Sequence, residues 1–176
     1  MSFKVLFETQ RLLIVKALTN EHLTPLLPIY NDVKTMQYIP SKRDTPWTIQ
    51  DIKDKYNINQ KLYTDGLGLY LIYLKKEGKN ECIGELCLLN YASNTAFVEI
   101  GYIIHQTYWR QGLGTELILA TLKYIHENVP QRTNVIAQLF EKNIASAQLL
   151  YKTGFKFQSK EKLQHGEYKL IFHYDL

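Results

Sequence analysis

The sequence predicts an α+β (mixed α/β) fold, with helices covering a largely antiparallel sheet of about seven strands. Three observations predict it. Three apolar segments rich in β-branched and aromatic residues follow one another between Gly68 and Ile104, joined by short turns. Two later segments with helical periodicity alternate with strand segments. No repeat, low-complexity tract or Pro/Gly/Ser-rich linker divides the 176 residues, so one domain spanning residues 1–176 is expected. A chain of this length buries enough surface to need neither metal nor disulfide for stability.

Arg11 to Ala17, rich in Leu, Ile and Val, reads as the first strand. Thr24-Pro25 opens a short helix, because proline at the first helical position loses no hydrogen bond. Val33 to Trp47 reads as a loop on the substrate side. Thr48-Ile49-Gln50-Asp51 has the form of a capping box, with Ile52 and Tyr56 following at helical spacing. Leu69–Tyr73, Cys82–Leu89 and Ala96–Ile104 then form a meander, with turn formers in Lys75–Asn80 and Tyr91–Asn94. Leu113, Leu117, Ile118, Thr121, Leu122 and Ile125 mark a helix that ends near Asn128, before Pro130. Val135–Leu139 is a strand, and Asn143–Thr153 is a helix closed by Gly154. Phe155–Phe157 and Tyr168–Tyr174 form a last pair around Gln164-His165-Gly166.

The net charge of +4 is mild and scattered, which argues against nucleic acid as the main partner while favouring approach of an anionic cofactor. The N-terminus lacks a signal-peptide pattern, and no run of about 18 apolar residues suggests a membrane span. Cys82 and Cys87, the only cysteines, are an odd number of residues apart, so a regular strand puts them on opposite faces and unpaired. A cytoplasmic protein is expected. His22, His105, His126, His165 and His173 have no ligand spacing, so no metal site is expected; His105, near the cleft mouth, is either a proton shuttle or a loop histidine. There is no Gly-x-Ser-x-Gly elbow, no P-loop and no third glycine for a dinucleotide fingerprint.

The segment Trp109-Arg110-Gln111-Gly112-Leu113-Gly114-Thr115 joins a β-rich strand to a helix. The first amides of a helix have no internal partner and carry the positive end of its dipole, which suits a phosphate. Gly112 and Gly114 clear space for one, Thr115 adds a hydroxyl, and Arg110 can add a charge-assisted contact. The same two glycines are equally compatible with a helix entry built for close packing.

With Glu99-Ile100-Gly101-Tyr102-Ile103-Ile104 before this turn, and Asn143-Ile144-Ala145-Ser146, Leu149-Leu150-Tyr151 and Gly154-Phe155 after it, the sequence resembles the GNAT N-acetyltransferase superfamily. Within it, the chain looks like the branch of ribosomal-protein alanine and spermidine N-acetyltransferases, to which Glu8-Thr9-Gln10-Arg11-Leu12-Leu13-Ile14 is also similar. The resemblance implies a twisted central sheet with helices on both faces and acetyl-CoA as co-substrate. In that family two neighbouring strands splay apart around the pantetheine arm. Carried over, the backbone of Tyr102, Ile103 and Ile104 holds the arm, the amides of Arg110, Gln111, Gly112, Leu113, Gly114 and Thr115 hold the pyrophosphate, and Asn143 bonds the arm near the thioester while also capping its helix. Two positions depart from the family pattern. Trp109 stands where the superfamily has Arg or Gln, and the usual general-acid tyrosine position is Leu150. Tyr151, one residue later, is turned about 100° around the helix. It is either the displaced acid or a packed helix-edge ring. Ser146, at a place some members use near the sulfur, is either a donor to the thiolate or a helix hydroxyl bonding backbone.

The chemistry implied is attack of a neutral amine on the thioester in a ternary complex. An alkyl ammonium with a reference pKa of about 10.4 must first lose a proton. Glu99, a carboxylate in an apolar strand sharing a face with Gly101 and Ile103, is either that base or one half of a cross-sheet ion pair. The amide of Ile103 or Ile104 is the oxyanion donor, and proximity supplies much of the acceleration. Asp32, Glu85 and Glu141 either line an amine pocket or are solvated charges. The acceptor is expected to be a protein N-terminal amine or a small-molecule amine, and the chain a monomer or homodimer. Without the tyrosine, a non-catalytic acyl-CoA-binding sensor or interaction module is the alternative.

Overall fold

The computed structural model describes residues 3–39, 45–92, 94–164 and 166–176. His165, Met1-Ser2 and residues 40–44 of the Val33–Trp47 segment lie outside them. The strands are β1 (Lys4–Glu8), β2 (Leu12–Lys16), β3 (Gly68–Leu74), β4 (Glu81–Tyr91), β5 (Asn94–Ile104), β6 (Asn134–Phe140), β7 (Lys156–Lys162) and β8 (Tyr168–Asp175). The α-helices are α1 (Leu26–Tyr30), α2 (Val33–Met36), α3 (Ile49–Ile58), α4 (Leu113–Asn128) and α5 (Ile144–Lys152).

One sheet runs β1-β2-β3-β4-β5-β6-β8-β7. Every pairing is antiparallel except β5 with β6, which α4 joins as a crossover. The mixed α/β fold is as expected, with eight strands where seven were counted. The extra one is β1, a short edge strand whose Lys4 and Val5 are exposed. β7 runs on to Lys162, well past the expected Phe157; its Gln, Ser, Lys and Glu show no apolar alternation because this edge strand pairs only with β8 and is almost wholly exposed.

Helices cover both faces. On one, Leu113, Leu117, Ile118, Leu122 and Ile125 of α4 and Leu150 of α5 pack against Leu12, Ile14, Tyr70, Ile72, Leu86, Leu88, Val98 and Ile100. On the other, Leu26, Ile29 and Tyr30 of α1 and Ile52 and Tyr56 of α3 pack against Val15, Leu69, Leu71, Tyr73 and Ile103. α3 begins with the expected capping box: Thr48 accepts from the Asp51 amide and Asp51 from the Thr48 amide. The Val33–Trp47 segment is not all loop, because Asp32 caps α2 by accepting from Thr35 N at 2.7 Å.

The expectation for the cysteines is corrected. The β3–β4 register shifts between Ile72 and Tyr73, a bulge that adds one residue to β4 around Ile83. Alternation is reset there, so Cys82 and Cys87 both face α1 and α3 while Ile83 and Leu86 face α4. Both thiols are free.

Candidate active site

β5 and β6 pair in parallel from Phe97 with Asn134 to Ile100 with Ala137, and the pairing stops there. Gly101–Ile104 and Gln138–Phe140 continue as strands without pairing to each other, which leaves a gap between their facing edges at that end of the sheet. The backbone on the β5 wall is assigned by alternation. His105 N donates to Ile83 O at 2.8 Å, so the groups of Ile103 and Gly101 also point toward β4, and those of Ile104 and Tyr102 point into the gap. Gly84 agrees: a Cβ there would lie 1.9 Å from Ile103 O, so that carbonyl faces β4 and Gly84 must be glycine. Of the three backbone positions named from sequence, Tyr102 and Ile104 open onto the gap, and Ile103 serves the sheet.

Beyond Ile104 the chain folds through Gln106–Tyr108 into the turn before α4. Arg110 (φ 61°) and Gly112 (φ 78°), two positions apart, are both left-handed, a backbone turn of the kind from which successive amides can face an anion. No side chain caps the start of the 16-residue α4, so the Leu113, Gly114 and Thr115 amides are open to a ligand. The two glycines have different reasons. Gly112 supplies the left-handed backbone, whereas a Cβ on Gly114 would come within 2.7 Å of Leu149 Cδ2, so Gly114 lets α4 approach α5. Arg110 and Gln111 are exposed, and Gln111 donates to Thr107 O at 3.0 Å.

Three supports of this turn escaped the sequence reading. Arg11 donates to Gln111 O at 2.8 Å and pairs with Glu116 at 2.7 Å, and its own amide binds Glu116 at 2.8 Å, tying the start of β2 to the first turn of α4. Burial alone would raise the Glu116 carboxyl, but the Thr9 hydroxyl, then these Arg11 bonds, outweigh it and hold the group below its ordinary value. Trp109, one of the two positions that depart from the family pattern, donates its indole N–H to Ile104 O at 2.6 Å and pins the end of β5 to the turn. The Arg11–Glu116 pair joins residues 105 apart in sequence and so leaves no local signal, whereas the Trp109 bond spans five residues.

The α5 wall brings Asn143 and Ser146 to the gap. Asn143 caps α5, its Oδ1 accepting from Ser146 N at 3.2 Å. The Ser146 hydroxyl lies 2.7 Å from the Tyr102 hydroxyl, which burial pushes up to about 12. Tyr151 is not brought here. It is 57% exposed and meets Phe172 edge-on with ring centroids 5.1 Å apart, while Leu150 is buried in the core. Five residues past Ser146 is about 140° around a helix, so the two side chains diverge.

Glu99 lies on the opposite face, below the gap. Its partner is not a cation but Gln138, whose Nε2 donates to Oε1 at 2.9 Å. Burial raises its carboxyl above the ordinary value, with Gln138 and then Lys169 working against that shift. Glu85, expected to be either pocket or surface, is fully buried on β4 opposite Ile103. Its Oε1 accepts from Tyr30 at 2.8 Å, from Cys87 at 3.2 Å and from the Lys55 ammonium. Its Oε2 and the Tyr56 hydroxyl are buried with no hydrogen-bond partner among the described residues. Burial alone would lower the Lys55 ammonium, but the Glu85 carboxylate reverses the sign and the net shift is upward. Burial, then Glu85, drive the Tyr30 and Cys87 values well up.

Asp32 accepts from Thr35 and from Gln106 Nε2 at 3.2 Å, with His105 3.9 Å away, so it braces the segment after β5. Glu141 pairs on the surface with Lys160 at 2.5 Å. A cavity of about 560 Å³ lies elsewhere, lined by Asp65, Asn90, Asn128 and Arg132 at the C-terminal end of α4, where the dipole is negative and a phosphate is disfavoured. Among the described residues no group of acidic, His or Cys side chains is arranged for a metal, and no helix is long and apolar enough to cross a membrane.

Residues 11–156 match the acetyltransferase (GNAT) domain family. No curated protein matches the sequence. Among solved structures, a GNAT-family acetyltransferase from Bacillus anthracis is 23% identical, with a TM-score of 0.76 over 99% of this chain and 98% of that one. The ribosomal L7/L12 alpha-N-protein acetyltransferase RimL in complex with coenzyme A is 15% identical, with a TM-score of 0.81 over 98% of each chain. A putative acetyltransferase, yncA, from Salmonella typhimurium with acetyl-CoA is 15% identical, with a TM-score of 0.70 over 94% of each. At these identities the likeness is one of fold.

Proposed function

The chain belongs to the GNAT acetyltransferase family, and from that premise we propose that it transfers the acetyl group of acetyl-CoA to a primary amine by direct attack in a ternary complex. The observation that carries this reading is the gap between β5 and β6, ending at the uncapped start of α4. The pantetheine arm would lie along Tyr102 and Ile104, taking the place of the missing β6 pairing, with the pyrophosphate on the Gly112–Thr115 amides. Arg110 would add charge at the phosphates, and the side-chain amide of Asn143 would bond the arm.

Glu99 would take the amine's proton through water. A carboxyl raised by burial is better matched to neutral pH than an ordinary one. The Ile104 amide, which points into the gap, would stabilise the oxyanion, and Ser146 would donate to the departing sulfur. The acceptor enters from the α1–α3 side. A protein N-terminus is one class, since RimL acts on a ribosomal protein and its structure superposes over nearly the whole chain; a small-molecule amine is the other. Leu150, buried where relatives have tyrosine, favours the second reading of a non-catalytic acyl-CoA sensor. One experiment separates them: thermal shift with acetyl-CoA, followed by thiol release over a panel of peptides, polyamines and aminoglycosides. A raised Tm with amine-dependent thiol release is expected. No Tm shift at millimolar acetyl-CoA overturns both readings, and binding without turnover leaves the sensor.

A further inference from the structure

Sequence reasoning used Tyr102 only for its backbone, yet its side chain reaches across the gap to Ser146 Oγ at 2.7 Å. A bond between two hydroxyls has two polarities. The Tyr102 hydroxyl is half-buried, like Ser146, and has no second partner among the described residues. A phenol is the stronger acid of the two hydroxyls and an alkyl hydroxyl the better acceptor, so Tyr102 donates and Ser146 accepts. The proton left over then belongs to Ser146, on the gap wall. A Tyr102 hydroxyl that burial raises to about 12 stays protonated at every working pH.

Thr121 in α4 and Thr153 just past α5 each bond the carbonyl four residues back, at 2.8 and 2.9 Å. Ser146 makes no such bond among the described residues; Tyr102 holds it instead.

We propose that Tyr102 is a positioning residue for the leaving group: by donating to Ser146 Oγ it aims the Ser146 proton into the gap, at the thioester sulfur. The inference rests on the acetyl-transfer reading above. In the step itself the amine nitrogen forms the C–N bond and its proton passes through water to Glu99. The C–S bond breaks with its electron pair going to sulfur, and the thiolate leaves hydrogen-bonded to Ser146, later taking a proton from bulk water. Neither hydroxyl ionises. The phenol missing at Leu150 is thus supplied from the facing wall, one hydroxyl away from the sulfur.

The test needs no acceptor. The thiol of bound coenzyme A is titrated by its thiolate ultraviolet absorbance in the wild type, Tyr102→Phe, Ser146→Ala and the double variant. The wild type is expected to hold the thiol pKa below that of free coenzyme A. Tyr102→Phe should raise it by about one pH unit, the worth of one charge-assisted hydrogen bond. Ser146→Ala should raise it at least as far, and the double variant no further than Ser146→Ala, while a coenzyme A melting shift in each variant shows that the thiol being titrated is bound. A thiol titration unmoved by Tyr102→Phe, or a further rise when it is added to Ser146→Ala, overturns the proposal. So does any failure of Tyr102→Phe, a near-isosteric change, to fold and bind. Absence of a coenzyme A melting shift in the wild type overturns the acetyl-transfer reading with it, whereas an amine panel without a substrate leaves the titration result standing.

Discussion

On the α4–α5 side of β5, the groups offered to a ligand are mostly backbone: the Tyr102 and Ile104 edge, the curled turn and the open amides of α4. On the α1–α3 side they are side chains, and the central one, Glu85, is buried under Tyr30, Lys55 and Cys87. The first region depends on backbone shape, so a side chain matters there where it braces that shape, as the Trp109 indole braces Ile104. The second depends on the identity of every member, because a buried charge without its counterion is costly. The cofactor side should therefore respond to mutation through affinity, and the acceptor side through stability and turnover.

The sharpest way to break this contrast is Glu85→Ala. It leaves the Lys55 ammonium without its counterion and Tyr30 and Cys87 without an acceptor. A loss of about 3 kcal/mol or more is expected, lowering Tm by roughly 10 °C. Adding Lys55→Met should recover part of that loss, since the stranded charge is then gone. Acetyl-CoA should still raise Tm by the wild-type amount. A single variant as stable as the wild type, or a double variant less stable than the single, would show that the cluster is not held by charge pairing.

Glu99→Gln comes next in size and acts on turnover alone. The neutral amide keeps the shape and can still meet Gln138, so folding and acetyl-CoA binding should hold, while kcat/KM at neutral pH falls about 100-fold. The pH profile gives the sign. A base must be deprotonated to work, so kcat/KM rises with pH through the Glu99 pKa. Burial raises that pKa, so the limb lies at higher pH than an ordinary glutamate would put it. In Glu99→Gln the limb should vanish. If it persists unchanged, the limb belongs to another group and Glu99 is not the base.

The same contrast explains what could be read from sequence. Element types, the capping box at Thr48, the α4 entry and the Asn143 cap all leave local signs, because each rests on residues within a few positions of one another. The Glu85 cluster leaves none: Tyr30 and Lys55 lie 55 and 30 residues from their partner, and the α1–α3 helices are short. The cysteine faces were misread because a bulge is one extra residue, which alternation counted from sequence has no means of seeing. β1 and β7 were missed or cut short because edge strands bury too little to impose a pattern. Tyr102 was legible as a strand residue only, since its hydroxyl partner lies 44 residues on.

Trp109→Phe probes the backbone side with the smallest expected effect. The substitution keeps an aromatic ring on a residue that is 37% exposed and removes only the indole N–H that bonds Ile104 O at 2.6 Å. Water can replace that donor, so the stability loss should stay within about 1 kcal/mol, or roughly 3 °C in Tm. The Ile104 carbonyl, however, belongs to the edge that faces the gap, and the bond fixes where β5 ends and the turn begins. Loosening it should raise the KM for acetyl-CoA by about fivefold, the equivalent of 1 kcal/mol, and leave kcat where it is, because no group near the reacting atoms has changed. A drop in kcat with an unchanged KM would place Trp109 in the chemistry and erase the division between a side that binds through backbone and a side that works through side chains.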